Sequence, residues 1–187
     1  MPEEIIYAAG GIPVRILTTE EPPTLSETLM QSYYCTFSRC LLHQGLDGQL
    51  DYMDGLVTAY SCATMRLAFD NLQRSASFPY TCFIYMPGII DTPEAKEFYY
   101  NELKRFTKDL GEYMGRTITD DDLREAIRIY DENRSLTMNL FEGRKGNPPK
   151  ISGKEAYLIT LSSMFTDKAD LVTCLYDAAA PDRWFRR

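Results

Sequence analysis

Residues 56–72 read LVTAYSCATMRLAFDNL, a short β-prone run followed directly by an apolar pattern with helical spacing. A second β-prone run, TCFIYM at 81–86, follows after a short connection and ends at Pro87-Gly88. Strand, helix and strand in this order are typical of a βαβ unit, whose two strands run parallel beneath the helix. We therefore predict an α/β fold: a small parallel sheet with flanking helices, Rossmann- or flavodoxin-like, followed by a helical segment.

A third strand is predicted over residues 12–17, IPVRIL, because this apolar run follows the Gly10-Gly11 pair. Three short strands are few for the amount of helix that the rest of the sequence indicates. A sheet this thin is normally extended by further strands. The chain is therefore expected to be one part of a larger assembly, or a fragment of a longer protein.

Three segments have the spacing of a capping box, in which an N-cap Ser or Thr and an acidic residue three positions later exchange hydrogen bonds with the backbone. They are Thr24 with Glu27, Thr119 with Asp122, and Ser152 with Glu155. Each predicts the start of a helix. A further helix is predicted over 94–114, where apolar residues recur every three or four positions.

The charge balance excludes several classes of partner. The chain has 187 residues, with 20 Lys and Arg against 27 Asp and Glu, and a formal net charge of −7. No basic stripe is available to neutralise phosphates, which argues against nucleic acid and anionic membranes. No apolar run approaches the roughly 18 residues of a membrane span, and the N-terminal Met-Pro-Glu-Glu lacks the basic region of a signal peptide. We expect a cytoplasmic protein with neither a nucleic-acid nor a membrane partner.

Several common chemistries are also excluded. The sequence contains no Gly-rich phosphate loop and no Gly-x-Ser-x-Gly nucleophile elbow. His43 is the single histidine, so a His-rich zinc site is ruled out, and its place in a predicted helix favours a structural role. The five cysteines are an odd number in a chain without a secretory signal, and we expect them to be reduced.

Two of the cysteines lie at predicted helix starts. Cys62 follows the strand at 56–60, at the carboxyl end where open α/β sheets place their sites. The positive end of the following helix dipole favours the thiolate, which is the form that binds metal. Cys35 has a similar setting ahead of the helix that starts near Thr36. The two thiolates can converge on a metal; the alternative is that both are small buried residues, as free cysteine often is.

Cys82 and Cys174 are expected to be packing residues, and Cys40 is not expected to share a site with Cys35. Cys40 is five residues after Cys35, about 140° round a helix, so the two do not share a face. Cys82 lies in the middle of a predicted strand, and Cys174 lies in an apolar helix. No Cys-x-x-Cys occurs, which excludes zinc ribbons and ferredoxin motifs.

Six segments along nearly the whole chain form one ordered set. They are PEEIIYAAG at 2–10, IPVR at 12–15, CTFSR at 35–39, LDYMDGLV at 50–57, SCATMR at 61–66 and GRTIT at 115–119. The set resembles the 2-hydroxyacyl-CoA dehydratase and benzoyl-CoA reductase family, whose members carry PEELIYAAG…PVR, HSCDTMR and TGRxIT in this order.

The resemblance implies an iron–sulfur subunit. Family members hold a 4Fe–4S cluster, or a larger double-cubane cluster, through three cysteines, and the first two correspond to Cys35 and Cys62. An ATP-hydrolysing iron–sulfur activator supplies single low-potential electrons, which the cluster passes to an acyl-CoA substrate. The dehydratases (lyases) then release water, and the reductases (oxidoreductases) reduce an aromatic ring or similar acceptor. Ser61 and Arg39 lie beside the implied ligands and are candidates to line the substrate pocket, although Arg39 can equally form a surface ion pair.

The sequence departs from the family pattern in two ways. Family subunits are considerably longer, with a second α/β half that carries the third cysteine, and Cys174 does not sit in a matching segment. Tyr60 and Ala63 replace the histidine and the acidic residue that flank Ser-Cys in the family. The missing ligand is therefore expected from a homologous second subunit or a missing C-terminal half, unless the cluster has been lost.

The expected organisation follows from this resemblance. Residues 1–92 are predicted to be an α/β cluster-binding portion, and residues 93–187 a helical segment leading towards the missing second α/β half. The expected function is that of the iron–sulfur subunit, or its N-terminal half, of an ATP-activated 2-hydroxyacyl-CoA dehydratase or benzoyl-CoA-type reductase. The alternative is a non-catalytic structural or assembly subunit that keeps the fold without the cluster.

Overall fold

A computed structural model describes residues 1–179 of the chain. In chain order the elements are α1 (Glu3–Ala8), a 3₁₀ helix (Leu25–Thr28), α2 (Thr36–Leu46), β1 (Gly55–Ala59), α3 (Ala63–Ser75), β2 (Tyr80–Ile84), α4 (Pro93–Met114), α5 (Asp120–Glu142), a second 3₁₀ helix (Gly143–Lys145), α6 (Gly153–Ser162) and α7 (Lys168–Ala179). None of these helices combines the length and the apolar character needed to cross a bilayer.

The predicted βαβ unit is present. β1 and β2 form a two-stranded parallel sheet with Val57 opposite Cys82, and α3 connects them. One face of the sheet packs on a core to which α2 and α3 both contribute. Its buried members are Met30, Leu41, Leu42, Leu50, Leu56, Ala68, Phe69, Leu72 and Phe83. The predicted fold class, a small parallel sheet with flanking helices, is confirmed.

A glycine allows α2 to approach α3 closely. A Cβ atom placed on Gly45 of α2 would overlap the side chain of Leu72 in α3. Leu72 is fully buried, so it has little room to move aside. The absence of a side chain at residue 45 therefore sets the distance between the two helices whose starts carry Cys35 and Cys62.

Side chains of α4 cover the outer edge of β2. Arg105 Nη2 donates to the Phe83 carbonyl oxygen at 2.8 Å, and the Tyr85 N–H donates to Glu102 Oε2 at 3.1 Å. The hydrogen bond from Arg105 also lowers the pKa of the Glu102 carboxyl. Both main-chain groups point away from β1, so α4 occupies an edge that would otherwise be open to strand pairing.

The chain divides into two compact units. The first contains residues 16–113 and therefore the sheet with α2, α3 and nearly all of α4. The second contains residues 2–15 and, of the described chain, residues 114–179, with α1 and α5–α7. The predicted division into a cluster-binding portion over 1–92 and a helical segment over 93–187 concerns function and stays a prediction.

In the second unit, α1 and α7 pack against α5. Arg134 of α5 pairs with Glu4 of α1 at 2.9 Å, and Tyr130 lies edge-on to Tyr7 with 5.9 Å between ring centroids. Lys168, at the start of α7, is buried beside Tyr130, and this burial lowers the pKa of its ammonium group. These contacts join α1 and α7 to α5.

The third predicted strand is wrong. Residues 12–17 have no strand structure, and Ile12 is 60% exposed. Pro13 has no N–H to contribute to a ladder. The Arg15 N–H donates to the Met164 carbonyl, and the Leu17 carbonyl accepts from the side chain of Gln44, so the segment's hydrogen bonds go to loop and side-chain partners rather than to a strand.

Two of the three predicted capping boxes are formed. Thr119 with Asp122 and Ser152 with Glu155 exchange both hydrogen bonds, at the starts of α5 and α6. The box at Thr24 is wrong: the Thr24 side chain makes no capping hydrogen bond, and a 3₁₀ helix of four residues follows. Glu27, the acidic member of that box, pairs instead with Arg39 at 2.8 Å.

Candidate functional site

Cys62 is the N-cap residue of α3, three residues after β1 ends at Ala59. Its backbone is extended, with φ −163° and ψ 167°, and its carbonyl accepts the N–H of Arg66 at 3.2 Å. Its side chain is exposed. The thiol thus lies where the sequence predicts it, at the carboxyl end of a parallel strand and the N-terminus of a helix.

Hydrogen-bond donors surround the Cys62 sulfur. The Thr64 hydroxyl oxygen lies 3.1 Å from Sγ. This hydroxyl is the largest cause of a lowered pKa for the Cys62 thiol, followed by the Met65 N–H, and the Ser61 hydroxyl acts in the same direction. The site therefore favours the thiolate, which is the nucleophilic and metal-binding form of cysteine.

Arg66 attaches the first turn of α3 to the end of β2. Its guanidinium lies 4.4 Å from the Phe83 ring centroid and 5.4 Å from that of Tyr85. It donates to the Tyr85 hydroxyl at 2.7 Å and to Asp70 at 2.9 Å. These contacts fix the helix start that carries Cys62 relative to the neighbouring strand.

Cys35 is the N-cap residue of α2 and is also exposed. Its carbonyl accepts from the Ser38 hydroxyl at 2.8 Å and from the Arg39 N–H at 3.1 Å. The Arg39 side chain, 11% exposed, forms the ion pair with Glu27, so the ion-pair alternative of the sequence prediction is realised with a mostly buried arginine. Ser61 is exposed beside Cys62. A substrate-lining role for Ser61 and Arg39 stays a prediction.

Cys35 and Cys62 both belong to the first unit, and the helices they start pack against each other. Within residues 1–179, neither cysteine belongs to a set of three metal-ligand atoms from His, Cys, Asp or Glu lying within 4.8 Å of one another. The described part of the chain therefore supplies two thiols without a third ligand beside them.

A separate cluster of ligand atoms was not foreseen from the sequence. Atoms of Glu21, His43 and Asp47 lie within 4.8 Å of one another. The Gln49 amide already donates to Glu21 at 3.2 Å and to Asp47 at 2.9 Å. His43 is buried, and its Nδ1 accepts the Leu25 N–H at 3.3 Å. These hydrogen bonds support the structural role predicted for His43.

The remaining cysteines divide differently from the prediction. Cys82 is 5% exposed, which confirms it as a packing residue, and Cys40 is also buried, at 3% exposed. Cys174 is exposed, so its predicted packing role is wrong. On α7 the buried positions are Leu171, Val172 and Leu175, and residue 174 lies about 110° round the helix from the middle of that buried face.

Comparisons with known proteins define the class to which this fold and site belong. The family model for 2-hydroxyglutaryl-CoA dehydratase, D-component, matches residues 1–181. (R)-2-hydroxyglutaryl-CoA dehydratase subunit beta of Acidaminococcus fermentans is 30% identical over 189 residues, which cover 97% of this chain and 50% of that protein. The chain therefore belongs to the 2-hydroxyglutaryl-CoA dehydratase D-component family, and the family resemblance of the sequence motifs is confirmed.

Further relatives are subunits of related enzymes. A benzoyl-CoA reductase subunit of Thauera aromatica is 29% identical over 161 residues, covering 85% of this chain and 42% of that protein. The (R)-phenyllactyl-CoA dehydratase beta subunit of Clostridium sporogenes is 24% identical over 169 residues, covering 90% and 45%. The chain spans about half the length of the curated relatives it matches, at 42% to 50%.

The donor set fits part of the iron–sulfur site that the family motifs imply. Iron–sulfur clusters are held by cysteine thiolates, and their properties depend on hydrogen bonds to the sulfurs. Cys62 offers an exposed thiol with a lowered pKa, and Cys35 offers a second exposed thiol at the start of an adjacent helix. The two are consistent with two of the three cysteine ligands that the family resemblance implies.

Proposed function

We propose that this chain is the iron–sulfur subunit, or the N-terminal half of one, of an ATP-activated 2-hydroxyacyl-CoA dehydratase or benzoyl-CoA-type reductase. The observation that carries the proposal is the environment of Cys62: an exposed thiol at a helix start, with its pKa lowered by the Thr64 hydroxyl, in a chain of this family. A buried packing cysteine has no need of donors aimed at its sulfur.

Cys35 and Cys62 would hold a 4Fe–4S cluster or a double-cubane cluster. When bound, such a cluster supplies low-potential single-electron transfer to a CoA thioester. The protein's own residues prepare the site: Thr64 and the first amides of α3 stabilise the Cys62 thiolate, and Arg66 holds that turn against β2. Ser61 and Arg39 are proposed to line the acyl-CoA pocket.

The proposal requires partners. The third cysteine ligand would come from a homologous second subunit or from a C-terminal half beyond this chain. The electrons would come from an ATP-hydrolysing iron–sulfur activator, and the substrate would be an acyl-CoA. We propose a cytoplasmic enzyme with no nucleic-acid or membrane partner, in keeping with the acidic composition.

The test is iron and sulfide analysis of the complex prepared without oxygen. We expect Cys35→Ser and Cys62→Ser each to lose most of the bound iron, because each removes a thiolate ligand. Cys174→Ser is the matched control, since it removes another exposed thiol from a different helix. A folded wild-type complex without iron, or serine variants with wild-type iron, would reject the proposal.

A second candidate is a non-catalytic structural or assembly subunit. It is favoured by the absence of a third ligand beside the two thiols within residues 1–179. Under this alternative, complexes assembled with Cys35→Ser or Cys62→Ser would keep both their iron content and their activity. Removal of the whole chain would nevertheless prevent assembly, as size-exclusion chromatography would show.

A further inference from the structure

We infer that Thr64 is a positioning residue for the cluster bound at Cys62: its hydroxyl donates to the Cys62 sulfur and tunes how firmly, and at what potential, iron is held there. The inference rests on the proposed function. Thr64 is the second residue of α3, and its Oγ1 lies 3.1 Å from the Sγ of the N-cap cysteine.

Chemistry fixes the direction of this hydrogen bond in the metal-bound state. A thiolate ligand has no proton, so the hydroxyl of Thr64 is the donor and the sulfur is the acceptor. Hydrogen bonds to an anionic acceptor are stronger than hydrogen bonds between neutral groups. Such a bond stabilises the reduced cluster, which carries more negative charge, over the oxidised one. It also disfavours protonation of the sulfur, and because cysteine binds metal in its deprotonated form, it opposes loss of the sulfur from iron.

The other helix start shows that the contact is specific to Cys62. Residues 35–37 read CTF, and residues 62–64 read CAT. Phe37 therefore occupies in α2 the position that Thr64 occupies in α3, and its ring has no hydroxyl to donate. Position 64 therefore gives the Cys62 sulfur a hydroxyl donor, and position 37 gives the Cys35 sulfur none.

The test compares Thr64→Val, Thr64→Ser and Thr64→Ala in the complex prepared without oxygen. Valine keeps the branched shape without the hydroxyl, serine restores the hydroxyl, and alanine serves if valine disturbs folding. Thr107→Val is the matched control, because the Thr107 hydroxyl donates to the Leu103 carbonyl within α4. The readouts are iron content, the midpoint potential of the cluster from a redox titration followed by EPR, and the rate of iron transfer to a chelator.

We expect Thr64→Val and Thr64→Ala to shift the midpoint potential in the negative direction. We also expect them to release iron roughly two- to tenfold faster, the range for one lost hydrogen bond. Complete loss of iron from a variant with native circular dichroism is the limit of the same effect and also supports the inference. Thr64→Ser and Thr107→Val should match the wild type.

Two failures are distinguishable. If Cys62→Ser loses iron but both Thr64→Val and Thr64→Ala keep the wild-type potential and release rate, the role of Thr64 is overturned and the proposed function stands. If Cys62→Ser keeps its iron, no cluster is bound at this cysteine, and the proposed function fails together with the inference. A potential that Thr64→Ser fails to restore would also overturn the role of the hydroxyl.

Discussion

The two cysteine-capped helices of the first unit share a local design but differ around the sulfur. Both cysteines are exposed N-cap residues, but the Cys62 backbone is extended, with φ −163° and ψ 167°, whereas Cys35 has φ −51° and ψ 129°. Only at Cys62 does a side chain from the first turn, Thr64, reach the sulfur within residues 1–179. The residue two positions after the N-cap cysteine, Thr64 in α3 and Phe37 in α2, is therefore one difference between the two helix starts that can be tested by substitution.

The largest expected effect concerns the apolar core that α2 and α3 share. Leu42 of α2 and Leu72 of α3 are fully buried in one core, so Leu42→Ala and Leu72→Ala should each lower the free energy of unfolding by about 2–5 kcal/mol. Denaturation in urea measures the change. Leu158→Ala, at a position 48% exposed on α6, is the control and should cost far less. If only one of the two core variants lowers the free energy of unfolding, α2 and α3 are not stabilised by one common core.

The next effect concerns the distance between the two helices. Gly45→Ala would drive a methyl group into Leu72. Such overpacking typically lowers the free energy of unfolding by about 1–3 kcal/mol, which is less than the cost of the leucine-to-alanine substitutions above. Gly143→Ala is the control, because a Cβ there meets no atom within 4 Å. Equal unfolding free energies for the two alanine variants would show that α2 and α3 can separate without cost.

Sequence reasoning reached the starts of these helices because local rules decide them. A strand, then Cys62, then an apolar pattern with helical spacing is enough to place the cysteine at a helix start. The boxes at Thr119 and Ser152 likewise depend on residues only three positions apart. The box at Thr24 has the same spacing, but Glu27 found a partner twelve residues away in Arg39. Such competition between local and distant partners is invisible in the spacing alone.

The surroundings of the site were harder to predict for the same reason. The contact of Thr64 with the sulfur needed a particular side-chain rotamer, although a hydroxyl residue two positions after an N-cap cysteine was a usable signal. The stacking of Arg66 on Phe83 joins residues seventeen positions apart and follows from the parallel register. The failed strand at 12–17 shows the converse, since an apolar run without a pairing partner does not become a strand.

A smaller effect concerns the contacts of Arg66, which are made at the start of α3. Arg66→Met should remove the hydrogen bond to Tyr85 and the ring stacking at the start of α3. The expected loss is about 1 kcal/mol, because the pair with Asp70 is partly exposed and contributes little. A double-mutant cycle with Tyr85→Phe measures the coupling. Additive effects of the two substitutions would show that Arg66 does not link α3 to β2.

The smallest expected effect is a shift in the pH dependence of Cys62 alkylation in the cluster-free chain. Mass spectrometry follows the alkylation of each cysteine-containing peptide. The rate of alkylation follows the thiolate fraction, which rises as pH passes through the thiol pKa. The lowered pKa of folded Cys62 should therefore place its profile at lower pH than the profile of the same peptide in urea. Thr64→Val should move the folded profile towards the unfolded one, because the Thr64 hydroxyl is the largest cause of the shift. Superimposed folded and unfolded profiles would remove the asymmetry between the two helix starts, since Cys62 would then gain nothing from its position.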